Sequence, residues 1–486
     1  MGAMLLLLTI AHGATFSVGS SQEFADLLES YMLDDGDTIE LTNDVMLPAL
    51  PEVDVTFQGN GHTLSVYGQE AQSSAITYVD LILSGYGRII IQGGARAVME
   101  SVDVEYIDLS VDTNGSLDIR NGSYTDAYYL LVYGDLFASN VRFENNFSSY
   151  TGGAVDCQRS TCTIENSTFL SNRGNYGGDV SITDGELVIT DSFFCDSRAD
   201  ARGGSIDAIA TRLVLRGNQF VGATSDEHGF LFVNGDANEG SYLVSEIADN
   251  TFLGGRADFG SGLGEIRSNE GYVFRNNIVV DVEGGSRPVL DGGGFLSAHN
   301  LFFDTIGDLQ ADKTDLVGVD PRFVKRTLDC DDVDLRLRVD SPAVGTADTL
   351  LDPSGVIGAL EVVDVDVDED GLLDSEELAL GTDPDVADSD GDGMNDGDEV
   401  ANGRDPLGDD EVTSSTTDTG TAPSTGPGTT DSTDPTTQGR KGAEDTDKLS
   451  SAVACGCRTG SGGSMGLLLA PLLWRQRRRS SQVTAS

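Results

Sequence analysis

Apolar residues recur along the middle of the chain with a period of roughly 25 residues, the scale of a stacked repeat. One column is Phe143, Phe169, Phe194, Phe220, Phe252, Ile278 and Phe302, with successive steps of 26, 25, 26, 32, 26 and 24 in residue number. A second column runs five positions ahead of it, at Ile164, Ile189, Leu215, Ile247 and Val273. A third, Val155, Val180, Ile206 and Leu231, follows Gly152-Gly153, Gly177-Gly178, Gly203-Gly204 and His228-Gly229. Such a period marks a solenoid, in which each repeat buries its apolar face on the next. Three short strands per repeat would add one strand to each of three parallel sheets, at the usual strand spacing of about 4.8 Å. The pattern therefore predicts an all-β fold. Asn166, Asn218, Asn250, Asn276 and Asn300 precede the Phe column. Asparagine suits a bend there, because it tolerates left-handed backbone and its amide can bond a neighbouring turn.

The flanks extend the pattern. Gln22–Met32 reads as a short amphipathic helix able to cap the open end of a solenoid, and Asp35–Leu41 as the strand entering it. Glycine, 60 of 486 residues, suits many tight turns and disfavours a helical globule. The Gly-Gly-Ala-Val stretch Gly152–Val155 and the Asn-Ser-Thr-Phe stretch Asn166–Asn172 resemble the repeats of polymorphic outer-membrane proteins. The region as a whole resembles the right-handed parallel β-helix family of pectin-lyase-like architecture. The resemblance covers residues 15–362, roughly fourteen turns at this period. Asp320–Val324, Leu335–Leu337, Ser341–Val344 and Gly355–Glu361 resemble the closing turns of such proteins.

Charge changes the picture beyond the solenoid. The chain carries 81 acidic and 29 basic residues, a net charge of −52, which excludes a polyanion such as nucleic acid as an obvious partner. Within residues 363–411 two loops share one spacing. Asp366, Asp368, Asp370, Asp374 and Glu377 occupy positions 1, 3, 5, 9 and 12 of the first, and Asp388, Asp390, Asp392, Asp396 and Glu399 those of the second. Gly371 and Gly393 fall at position 6, and the carbonyls of Leu372 and Met394 at position 7. Calcium takes six to eight oxygens, and this layout supplies them, with a bidentate glutamate closing each site. Gly381-Thr382-Asp383-Pro384 and Gly403-Arg404-Asp405-Pro406 end the two segments, and Asn395 replaces the apolar residue usual at position 8 of an EF-hand. Together these resemble thrombospondin type 3-like calcium repeats of bacterial secreted proteins, which implies a stalk that calcium makes rigid.

The ends read as targeting signals. The apolar run Met4–Ala11 and the small residues around His12 fit a signal peptide over residues 1–14. Residues 412–450, rich in Thr, Ser, Asp, Pro and Gly, predict a disordered linker. In residues 451–486, Cys455 and Cys457 precede the apolar run Met465–Trp474 and four arginines, Arg475, Arg477, Arg478 and Arg479. The order resembles a MYXO-CTERM sorting signal. That resemblance implies a membrane anchor, a sorting protease acting at one of the two cysteines, and display at the bacterial cell surface.

For an exported chain the spacing of Cys157 and Cys162 predicts a local disulfide. Cys195 and Cys330 fall about five turns apart, roughly 24 Å at 4.8 Å per turn, so both are expected as buried thiols. No catalytic set emerges. His62, His228 and His299 fall in different turns, and Lys313 and Lys325 are the only lysines of the solenoid. Asp179 and Asp207 lie in adjacent turns and are a chance-level carboxylate pair. Tyr124, Tyr128, Tyr129 and Tyr133 cluster in sequence and suit saccharide contact. The reading is a surface-anchored, calcium-binding β-helix protein that binds a glycan or extracellular matrix, or serves as a structural module. The alternative is a polysaccharide lyase or hydrolase.

Overall fold

The computed structural model describes residues 13–408, apart from Tyr31, 236–244, 285–288, Asp308, Gln310, 349–353 and Leu360. Its main body is a parallel β-helix. Thirteen strands stack in one ladder from Thr15–Val18 to Leu290–Ala298, all in parallel register. The first turns are shorter than the period of the middle. Partners through Val55, Ile76, Ala97, Leu117 and Leu136 differ in residue number by 21, 21, 20 and 19. The steps lengthen to 26, 25 and 26 through Cys162, Leu187 and Leu213.

Alternation within each short strand points one residue inward, and the parallel register aligns these residues into ladders. Phe143, Phe169, Phe194, Phe220 and Phe252 stack face to face at centroid distances of 4.6, 4.5, 4.6 and 4.8 Å. The ladder then continues through Val279 and Phe302, not through Ile278. Likewise Ile247 pairs with Phe274 and not Val273. The turn that follows Asn250 is one position longer than the expected columns assume, so both expected members point outward.

The asparagines belong to two columns. Asn140, Asn166, Asp191, Gly217, Asp249, Asn276 and His299 hold left-handed backbone, with φ from 48° to 66°. The residue after each points into the bend. Asn218, Asn250, Asn277 and Asn300 form a buried amide ladder there, each Nδ2 donating to the next Oδ1 at 3.0–3.1 Å. Ser167 and Ser192 fill the same place on the preceding turns. Asn166 and Asn276 are thus bend residues, while their successors Ser167 and Asn277 make the ladder.

Helix α1, Ser21–Glu29, closes the first turn. Ser20 caps it by accepting the Glu23 amide at 3.3 Å, and Glu23 reaches back to the Gly19 amide at 2.8 Å, a reciprocal cap. Phe24 is buried against Phe57, 5.7 Å away, so the helix seals the core.

The far end differs from expectation. Leu316–Val317 is the last parallel rung, on Leu301–Phe303. The segment expected to form closing turns folds back along the outside of the solenoid. Its strands Phe323–Lys325 and Asp334–Arg338 pair antiparallel, and Asp334–Arg338 also pairs with Val362–Val363. The cause lies one residue after the Phe ladder, at outward positions that would ordinarily be polar. Leu170, Cys195, Val221, Leu253 and Val280 make a second apolar column, buried under Phe323, Leu335, Leu337, Ala343 and Ile357. Cys330 travels with this flap and forms a disulfide with Cys195, with a Cα separation of 5.8 Å. The expectation of two separate thiols fails because it placed residue 330 on a later turn rather than in the turn between the strands of the returning flap. Cys157 and Cys162 are also paired, 6.7 Å apart at Cα.

Candidate metal centre

The two acidic loops have the same local structure. In the first, the Gly371 amide donates to Asp366 Oδ2 at 3.0 Å and the Leu372 amide to Asp370 Oδ1 at 2.8 Å. In the second, the Gly393 amide donates to Asp388 Oδ2 at 2.9 Å and the Met394 amide to Asp392 Oδ1 at 2.9 Å. Gly371 and Gly393 have φ of 103° and 102°, which explains glycine at the sixth position of each loop. Carboxylate oxygens of Asp366, Asp368 and Asp370 lie within 4.8 Å of one another, as do those of Asp388, Asp390 and Asp392. Each loop leads into a short helix, α2 (Asp374–Leu380) or α3 (Asp396–Ala401). These helices bury Glu377 and Glu399.

The donor set fits a hard cation. Both carboxylate oxygens of Glu377 are buried and accept no hydrogen bond. Such a group costs several kcal/mol unless a cation replaces the lost water. Burial, and then the charges of Asp368, Asp370, Asp374 and Asp396, push the Glu377 carboxyl up to about 7. Asp368 is raised too, by burial first. A buried glutamate among aspartates suits calcium, which takes many oxygens in flexible geometry. Of the sequence pattern, the structure brings Asp366, Asp368 and Asp370 together in one loop and Asp388, Asp390 and Asp392 in the other. Asp374 gives Oδ2 to Arg338 Nε at 2.7 Å, so only its buried Oδ1 remains for the loop.

Arg338 is the functional residue the sequence did not reveal. It lies on the returning strand and is almost fully buried between Asp374 and Asp340, with Asp385 on its Nη1. It fastens the first repeat to the flap and so to the solenoid. The two repeats are fastened in turn, because the Gly397 amide at the start of α3 donates to Asp370 Oδ2 at 2.8 Å. The only advance signal is an arginine in an apolar strand, Leu335-Arg336-Leu337-Arg338.

The remaining candidates are held apart. His62 lies 3.7 Å from Asp44 on the surface, and His299 Nδ1 contacts the Thr346 carbonyl at 3.2 Å. His228 is buried at its corner, its Nε2 3.1 Å from Glu265. Asp179 is buried on Asn172 and Asp207 is buried on Arg202; burial raises the first to about 7 and the second to about 6. Tyr124 is a core residue, so it leaves the tyrosine cluster, whereas Tyr128 and Tyr133 are exposed. Cys455, Cys457, the linker and residues 1–12 lie outside the described residues. Among the described residues no helix is long and apolar enough to cross a membrane.

The family model described as the bacterial TSP3 repeat matches residues 366–384 and 388–407, the two loops with their helices. No curated protein matches the chain. Two solved structures are similar in part. One is a PL6 family alginate lyase in mutant form, 12% identical at a TM-score of 0.31, over 63% of this chain and 54% of that one. The other is a mannuronic acid-specific family 6 polysaccharide lyase from human gut microbiota, 14% identical at 0.32, over 63% of this chain and 92% of that one. The chain therefore spans about half the length of the first. The chain carries two bacterial TSP3 repeats behind a parallel β-helix.

Proposed function

We propose that the protein is an exported binding module: a β-helix head on a calcium-set neck, held at the bacterial cell surface by its C-terminal tail. The observation that carries the calcium part is Glu377, buried without a hydrogen-bond partner among the charges of Asp368 and Asp370. Export is supported by the signal-like N-terminal stretch ending at Ala14 and by the disulfides Cys157–Cys162 and Cys195–Cys330. Anchoring rests on Cys455 or Cys457 with the apolar run and arginines behind them. A sorting protease would act there. The partner of the head is a glycan or extracellular matrix component.

Calorimetry of the full chain, stripped of metal, tests the calcium reading. Two calcium ions should bind, and Asp370→Ala or Asp392→Ala should each remove one. No heat of binding would overturn it. For the anchor, deletion of residues 465–479 should move the protein from the cell surface to the medium; unchanged partitioning would refute it. Product analysis on any bound glycan separates this module from the polysaccharide lyase or hydrolase alternative. Binding without cleavage is the expected result.

A further inference from the structure

We propose that Asp396, which the spacing assigns to the second loop, lends a carboxylate oxygen to the calcium site of the first; this rests on the calcium reading of the two loops. The Gly397 amide, next in the chain, donates to Asp370 Oδ2 at 2.8 Å, so the start of α3 sits on the first loop. A Cβ at residue 397 would come within 2.3 Å of the Asp370 carbonyl oxygen, which only glycine avoids. Glycine is a poor helix former, and this close approach accounts for it in the first turn of α3. Asp396 itself is wholly buried. One of its oxygens, Oδ1, accepts the Ser389 amide at 3.0 Å, while Oδ2 is buried with no hydrogen-bond partner. A carboxylate oxygen is costly to bury in this way unless a cation meets it. The charge of Asp396 reaches the first loop: burial first, and then neighbouring carboxylates that include Asp396, raise both Asp368 and Glu377. Glu377 is orphaned in the same manner as Asp396. Buried, unpartnered carboxylates from two repeats that feel a common field mark one cation site.

The first repeat shows the same device with its cation in view. Asp374 is the counterpart of Asp396, at the ninth position of its own loop. The amides of Asp374 and Asp396 donate to the Val365 and Ala387 carbonyls at 2.7 and 2.9 Å, so both residues are set alike. The next residue, Ser375, donates its amide to Asp364 Oδ1 at 3.1 Å, as Gly397 does to Asp370. Asp374 Oδ2 then accepts Arg338 Nε at 2.7 Å. The ninth residue of each loop thus turns back along the chain. In the first repeat it meets a guanidinium from the flap, and in the second it meets the first calcium site. Arg338 stands at the head of the array, where a preceding repeat would offer an ion.

Sharing makes the first ion a fastener between the repeats. Without it, docked α3 brings the charge of Asp396 to a group that already holds Asp366, Asp368, Asp370 and Glu377, and like charges push the second repeat away. With it, the docked arrangement is the favoured one. Ion binding and docking of α3 therefore support each other, and the coupling is reciprocal. A change in the second repeat should be felt by the ion of the first.

The test is calcium calorimetry of the metal-stripped full chain carrying Asp392→Ala, which disables the second loop so that the first ion is read alone. Adding Asp396→Asn keeps an acceptor for the Ser389 amide and removes the charge. It should weaken the remaining ion about tenfold or more, since calcium affinity follows the charge count of its ligands. Gly397→Ala, added instead, keeps every first-loop carboxylate but displaces α3 from Asp370, and should weaken the same ion severalfold. Hydrogen exchange of α3 in the Asp392→Ala chain should still slow when calcium is added, although its own loop is disabled. The β-sheet dichroism signal should be the same in all these chains. First-ion affinity that ignores Asp396→Asn or Gly397→Ala would overturn the shared site and leave the calcium reading of the loops standing. No heat of binding from the unsubstituted chain would overturn the calcium reading and the sharing with it.

Discussion

The two asparagine columns differ in physics, and one pair of substitutions separates them. Asn250 is wholly buried and uses its whole amide. Its Oδ1 accepts the Asn218 amide and Asn218 Nδ2, both at 3.0 Å, while its Nδ2 donates to the Leu215 carbonyl at 3.0 Å and to Asn277 Oδ1 at 3.1 Å. Replacement by leucine, similar in size, orphans the Asn218 N–H at about 1–3 kcal/mol and removes three further bonds at about 0.5–1.5 kcal/mol each. Allowing for the apolar area leucine buries, the net loss is about 4 kcal/mol. Asn166 holds left-handed backbone, φ 48°, on the exposed side of the bend. Asn166→Ala should cost only about 1 kcal/mol, the left-handed penalty of an ordinary residue, and Asn166→Gly close to nothing. Guanidinium unfolding followed by circular dichroism gives the comparison, and hydrogen exchange localises it. Asn250→Leu should speed exchange of rung amides around Asn218 and Asn277. Equal cost for Asn250→Leu and Asn166→Ala would refute the ladder argument.

Burial raises the Asp179 carboxyl to about 7, above its unfolded value, so its protonated form stabilises the fold at low pH. That contribution should fade as pH rises from about 4 through 7, and Asp179→Asn should flatten the melting profile across this same window. Cys195→Ser should free the flap, with faster tryptic cleavage at Lys325 and Arg326 and an unchanged β-sheet dichroism signal. A disulfide of this kind contributes about 2–4 kcal/mol, and unchanged cleavage would show that the apolar column alone holds the flap. Arg338→Met should leave Asp374 buried without its charge partner, at a cost of about 3–5 kcal/mol. Faster hydrogen exchange across residues 364–401 would report it, and unaltered exchange would contradict the latch.

Much of this was legible in the chain because it repeats. The Phe ladder shows itself since stacked turns need the same residue in the same place, and the calcium loops since each needs oxygens at fixed offsets. Register slipped at Ile278 and Val273 because Ile278 and Val279 are equally apolar, and only pairing decides which faces inward. Asn166 and Asn250 looked alike because bend and ladder positions are neighbours and both accept asparagine. The first turns are shorter than the middle ones, so their residues do not fall on columns drawn at the longer period. The flap was hidden for a different reason. Leu170, Val221 and Leu253 read as part of short apolar strands, and nothing local says that their outward side is covered. The Cys195–Cys330 bridge and the Arg338 latch follow from that long-range packing.

Hydrogen exchange of the full chain with calcium and with EDTA tests the central claim, that calcium sets the neck while the apolar ladders hold the head. With calcium, α2 and α3 and both loops should be protected together with the solenoid. In EDTA, residues 364–408 should exchange freely. The rungs bearing Phe143, Phe169, Phe194, Phe220 and Phe252 should remain protected, because these rings stack on one another and need no ion. Loss of protection throughout those rungs on chelation would contradict the account and place a calcium requirement inside the solenoid itself.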